Sequence, residues 1–193
     1  MELSKVGQAP DAEDFLEAVV APGRGWIPNL FKTLAFNQEL TKAWAAMGNA
    51  VRDDALNPRS RELVILLVSH LLRSEYEWVH HLEASSKVGI DAAEVVELLA
   101  WPARGTWSST DWAVLNAAAA TATHDGMPEW CVAVLRDALG ERALVDVCVT
   151  SAYYVAVAHL ITALGVRLES GGSETSAHLM SAPPSTGSAT PVM

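Results

Sequence analysis

Residues 57–72 read NPRSRELVILLVSHLL. Asn57 is a preferred helix N-cap residue and Pro58 suits the first helical position, so a helix starts here. Over residues 63–72 it is apolar almost all round. A helix without a solvated face is packed on every side, so this one belongs at the centre of the fold.

Helical patterns flank it in both directions, separated by short Gly, Pro, Asn and Asp punctuation, and no alternating strand-like run occurs. On the N-terminal side, Pro28 opens a short helix. Asn37 then caps one running to about residue 53, with Leu40, Trp44 and Met47 at helical spacing. On the C-terminal side, Asp91 and Glu94 form a capping box, and Ser109 or Thr110 caps the helix after it. Gly126 and Pro128 separate that helix from the next, which ends at Gly140. A long last helix over about residues 142–168 carries Val145, Cys148, Val149, Ala152, Ala156, His159, Leu160 and Ala163 on one stripe, read as its core face. The fold class is all-α. The domain spans residues 11–169, after an N-terminal arm over 1–10. Residues 170–193, rich in Gly, Ser and Pro, cannot bury enough surface to offset ordering and read as a disordered tail.

With 193 residues, half of them apolar, the chain forms one core. Its formal net charge is -10 and its basic residues form no stripe, which excludes nucleic acid and acidic membrane surfaces as partners. Cys131 and Cys148 lie in separate apolar segments without CxxC spacing and read as small buried hydrophobes in a reducing compartment. The N-terminal stretch MELSKVGQAPDAEDF has no apolar leader core, and no run of eighteen apolar residues is found. A cytoplasmic location is expected.

The polar cluster lies at residues 73–81, RSEYEWVHH. Ser74 and Glu77 have the spacing of a capping box. At about 100° per residue, His81 falls roughly 20° from Ser74 and 40° from Glu77, whereas His80 points some 120° from Ser74. A cap gives no reason for His81. Glu62 enters the apolar helix where partial desolvation would push its pKa upward. Glu62, Glu77 and His81 thus read as an acid/base set, with Ser74, Tyr76 and Trp78 around it. His70 and His159, lone histidines among apolar neighbours, read as core residues, and His159 also as pocket wall. Glu77 and His80 have the i, i+3 spacing of a di-iron ligand helix, but only one copy is present, so no metal is assigned.

Three stretches, WIPNLFKTLAFNQELTKAW, LNPRSRELVILLVSHLLRSEYEWVHHLEASSKVGI and YYVAVAHLITALGV, together resemble the carboxymuconolactone decarboxylase and alkylhydroperoxidase D-like superfamily over most of residues 15–168. In the peroxidase branch the site is a Glu, a CxxC pair and a His. Those positions correspond here to Glu62, Ser74, Glu77 and His81. The Glu and the His are in register; the two cysteines are replaced, which removes the thiolate that peroxidase chemistry needs at this site. The CGxPAA-like stretch associated with muconolactone decarboxylases is also missing, so the substrate does not transfer with the fold.

The resemblance implies an alkylhydroperoxidase D-like helical domain and a homo-oligomer, trimer or hexamer. The expected activity is a cofactor-independent lyase or isomerase moving a proton on a small carboxylic acid, lactone or polyketide-like carbonyl compound. His81 is the expected acid/base, Glu77 its partner and Glu62 a carboxyl group of raised pKa. Ser74, Tyr76, Trp78 and His159 are expected to touch substrate. The rivals are a metal-dependent oxygenase or hydrolase using Glu77, His81 and Glu62, and a non-catalytic oligomeric binding protein.

Overall fold

The computed structural model describes residues 6–20 and 26–169. The expected tail over 170–193 and the first half of the expected arm lie outside them. Among the described residues there are nine α-helices and no strand, as an all-α domain requires. They are α1 (Glu13–Val19), α2 (Asn29–Leu34), α3 (Gln38–Ala50), α4 (Pro58–Leu71), α5 (Glu75–Lys87), α6 (Ala92–Leu99), α7 (Ser109–Thr123), α8 (Glu129–Leu139) and α9 (Glu141–Leu164).

Helix α4 is the central one. Asn57 caps it, its Oδ1 accepting from Ser60 N at 2.9 Å, and Pro58 occupies the first turn. Leu63, Val64, Ile65, Leu66, Leu67 and Val68 are all fully buried, packed between α5, α7 and α9. Each contributes about 1.5–3 kcal/mol of burial, which makes this helix the largest single apolar contribution to the fold. Its entry is tied down by Arg59, which donates to Glu94 Oε1 at 2.5 Å, to Gly89 O at 2.9 Å and to Asp111 Oδ2 at 3.2 Å. These bonds join α4 to α6 and α7. The capping box of Asp91 and Glu94 is formed, while α7 is capped by Ser108, one residue earlier than expected.

Three elements depart from expectation in ways that shape the site. The helix begun at Asn37 is α-helical only to Ala50 and continues as a wider π turn over Val51–Ala55. The last helix stops at Leu164, not near 168. Gly165 takes the left-handed conformation (φ 66°), Val166 N bonds back to Ile161 O at 3.0 Å, and the chain reverses. Only glycine does this without a Cβ penalty.

The third departure concerns the face of α9. Its buried residues are Ala143, Val147, Thr150, Ser151, Val157, Ala158 and Ile161. None of the stripe from Val145 to Ala163 is buried; Val145 is 61% exposed, and Ala152, His159 and Ala163 are exposed as well. The helix is apolar nearly all round, so periodicity could not say which stripe faces inward. By length and composition α9 is apolar enough to cross a membrane (mean hydropathy 1.7), with 39% of that window buried. One face packs along α4, α7 and α8, and the outward stripe accounts for the remaining hydropathy.

Candidate active site

Helices α2, α3, α5 and α9 enclose a cavity of about 210 Å³. Residues 76, 77, 80, 81 and 84 of α5 all line it, the i, i+1, i+4, i+5, i+8 pattern of one broad helix face. From α9 come Tyr153, Tyr154 and Val157, and from α2 Leu30 and Phe31. The floor is a buried cluster of Leu30, Tyr76, Val157 and Ile161. Gly48 of α3 lies where a Cβ would stand 2.5 Å from the Tyr153 hydroxyl, so a side chain there would shift the tyrosine tip from its present place.

Within the wall, three residues form a chain. His81 Nδ1 is 2.7 Å from Glu62 Oε2, and His81 Nε2 is 3.5 Å from Glu77 Oε2. Glu62 comes from α4 and is 2% exposed; it is held from behind by Arg61, whose Nε donates to Oε1 at 2.9 Å. Arg61 in turn donates to the carbonyl of Arg52 in the π turn, so this turn anchors the base of the chain. The ring of His81 is also fixed edge-on by Tyr154, with centroids 5.2 Å apart.

Charge follows from that geometry. Burial opposes a positive His81, but its hydrogen bonds to Glu62 and Glu77 and their negative charges outweigh burial and raise its pKa to about 9. It is therefore an imidazolium at neutral pH, donating to Glu62 through Nδ1 while Nε2 faces Glu77 at 3.5 Å. Burial likewise opposes a charge on Glu62, yet His81 and Arg61 together hold its pKa below the ordinary carboxylate value. The expected upward shift of Glu62 is thus corrected: desolvation is present, but two cations overcome it. Glu62 stands behind the imidazole as a carboxylate, and Glu77 is the carboxyl group that reaches the cavity.

A second histidine joins the wall, contrary to the angular reading that turned it away. His80 stacks on Trp26 (centroids 5.2 Å apart) and lies 4.5 Å from the Tyr76 ring. Its Nε2 lies 2.7 Å from Glu169 Oε2, off the line of a hydrogen bond. Glu169 arrives through the reversal at Gly165. Its Oε1 accepts from the Tyr76 hydroxyl and from Asn29 N, each at 2.7 Å. Burial alone would raise its pKa; His80, Asn29 and Tyr76 lower it to about 2. The same bond and burial push Tyr76 well above the ordinary phenol range, so the hydroxyl stays protonated.

Of the sequence candidates, the structure brings Glu62, Glu77, His81 and Tyr76 together, and it moves three others away. Ser74 is buried outside this cavity, with no side-chain cap bond and no partner for its Oγ. Arg73 is left-handed (φ 54°) and Ser74 precedes the helix, so helical angles cannot be counted from it. Trp78 is fully buried against α4 in the main core, near His70. His159 is exposed. His70 is part-buried, and burial lowers its pKa, in keeping with a neutral core residue. The aromatic wall of Trp26, Phe31, Tyr153 and Tyr154 and the Glu169 anchor were not singled out from sequence; the adjacent pair Tyr153-Tyr154, one turn before Val157, was the available signal. Both ring nitrogens of His81 are engaged, and among the described residues no group of three or more His, Cys, Asp or Glu is placed to hold a metal ion.

Residues 38–122, which include α4, α5 and the Glu62–His81–Glu77 chain, match the carboxymuconolactone decarboxylase family. The match covers less than half of the chain and is a likeness of its central helices to that family. Solved structures similar to this chain agree in fold over nearly its full length. A cysteine-to-alanine variant of the debrominase Bmp8 in complex with 2,3,4-tribromopyrrole superposes with a TM-score of 0.73 at 14% identity, covering 93% of this chain and 96% of that one. An uncharacterized peroxidase-related protein from Silicibacter sp. TM1040 gives 0.71 at 20% identity, over 89% and 92%. The alkylhydroperoxidase AhpD core protein from Ralstonia eutropha JMP134 gives 0.68 at 20% identity, over 93% and 99%. No curated protein matches the chain in sequence. The fold is that of alkylhydroperoxidase D-like proteins, and it is one that houses enzymes. This domain has no cysteine in the cavity wall: Cys131 is buried, its thiol pushed up to about 11 by burial and donating to Ala113 O at 3.0 Å.

Proposed function

We propose that this chain is a cofactor-independent lyase or isomerase that moves a proton on a small carbonyl compound. The observation that carries this reading is the chain Glu62–His81–Glu77, which runs from a buried ion pair to the wall of an aromatic cavity. In the proposed cycle the Glu77 carboxylate takes a proton from the carbon next to the substrate carbonyl. The electron pair of that bond moves onto the carbonyl oxygen, the His81 imidazolium stabilises the resulting enolate, and the protonated Glu77 then returns the proton to another carbon of the conjugated system, which re-forms the carbonyl and restores both groups. Glu62 and Arg61 stay in place, keeping the imidazole charged and oriented. The similar debrominase, solved with a halogenated pyrrole, supports a cavity of this fold accepting a flat ring.

The test is proton exchange from deuterated water into an unsaturated lactone, followed by NMR. His81→Ala should lower the rate by about 10²–10⁴-fold, the usual contribution of a general acid or base, with helical circular dichroism unchanged. An undiminished rate in that variant sinks the proposal. Because the cycle uses charged His81, activity should fall as pH rises through about 9.

We infer also that the chain self-associates, as the resemblance implies. The outward apolar stripe of α9 supports this, since a monomer would leave it in water.

A further inference from the structure

The groups that line the cavity constrain the charge of what enters it. Among its described lining residues there is no lysine or arginine; the ionisable ones beyond the tyrosines are Glu77, His80 and His81. Each histidine is already claimed by carboxylates. His81 donates to Glu62 at 2.7 Å and faces Glu77 at 3.5 Å, and His80 Nε2 sits 2.7 Å from Glu169. The Tyr76 hydroxyl, another donor on this wall, is directed to Glu169 at 2.7 Å. Glu77 is therefore the carboxylate that faces the cavity, while Glu62, paired with Arg61, and Glu169 hold the two imidazoles from behind. An arriving substrate carboxylate would meet ionised Glu77 in a partly dehydrated space, with these donors committed; only when Glu77 takes up a proton is the His81 Nε2–H released to an enolate oxygen.

The shape points the same way. Stacked and edge-on rings of Trp26, His80, Tyr153 and Tyr154 give flat walls. At about 210 Å³ the cavity is smaller than the roughly 300–1,000 Å³ of drug-sized sites, so one ring with short substituents fills it.

We propose that the site takes an uncharged, planar, conjugated ketone or lactone and discriminates against the corresponding free carboxylate, with Glu77 as the residue that rejects the anion. This rests on the proton-transfer reading and sharpens it. Of the reactions open to the fold, isomerisation or ring opening of a neutral compound is selected over loss of carbon dioxide, which would need a carboxylate on the substrate.

The experiment is calorimetric titration of the full chain at pH 7 with acetophenone and with benzoate. The two are planar and have the same number of non-hydrogen atoms but differ in charge. Acetophenone should bind at least tenfold more tightly. Glu77→Gln should narrow that gap by raising benzoate affinity while leaving acetophenone within about twofold, an outcome a merely structural Glu77 would not give. Benzoate binding as tightly as acetophenone, a gap unchanged in the variant, or binding of neither compound would each overturn the proposal. The titration is independent of turnover. A preserved preference with no proton exchange would leave the charge selection standing and remove the enzymatic reading, and exchange without the preference would do the reverse.

Discussion

At the scale of single residues, the decisive one is Glu62, because it converts His81 from a titrating base into a standing cation. A group whose pKa is raised on folding adds stability below its unfolded value and loses that contribution as pH rises through its folded value. For His81 the contribution is complete below about pH 6.5 and disappears through about pH 9. Glu62→Gln should therefore destabilise the chain by about 3 kcal/mol at pH 6, the scale of breaking a buried ion pair, with a smaller difference at pH 10. Urea melts at the two pH values check this; a pH-independent difference would show that the pair is not what holds the proton. The Glu62 and His81 register was legible in sequence because their spacing to Ser74 and Glu77, twelve, three and four residues along the chain, is the one the resemblance implies for a site. Trp78 and His159 were misplaced for a shared reason. Each stands two residues, about 200°, beyond a cavity residue of its own helix, Tyr76 and Val157, and so points elsewhere.

Among the elements, the close approach of α3 to α9 bounds the cavity, and the π turn at Val51–Ala55 holds Arg61 behind Glu62. Neither was legible: a π turn has no composition of its own, and the need for Gly48 is created by a tyrosine 105 positions later in the chain. The helix starts at Asn57 and Asp91 could be read because caps are local chemistry, and α4 because an apolar surround has one interpretation. Gly48→Ala should force the Tyr153 ring aside. The expected result is a KM raised about tenfold, a smaller change in kcat, and a loss of about 1–3 kcal/mol from overpacking. Steady-state kinetics alongside thermal melts separate this from general unfolding, which would lower the active fraction without moving KM.

For the whole molecule, the all-α class and the centrality of α4 followed from the sequence, but the orientation of α9 did not, because two opposite stripes are both apolar. That ambiguity has a physical content: an inward stripe makes the core, and the outward one is where the proposed self-association would act. Val145→Glu with Ala152→Glu should convert an assembly to monomers by light scattering, with helical content retained; an unchanged mass would show that the stripe is not the contact. The reversal at Gly165 bears on how the domain can be handled. The obvious end of the fold is the last turn of α9, and trimming there would keep Glu62, Glu77 and His81 intact. It would also strip His80 and Tyr76 of the carboxylate that fixes them. A minimal version of the domain that keeps these anchors must therefore include Glu169, and a tag fused directly after Leu164 would replace the segment that holds Tyr76 and His80 in the wall.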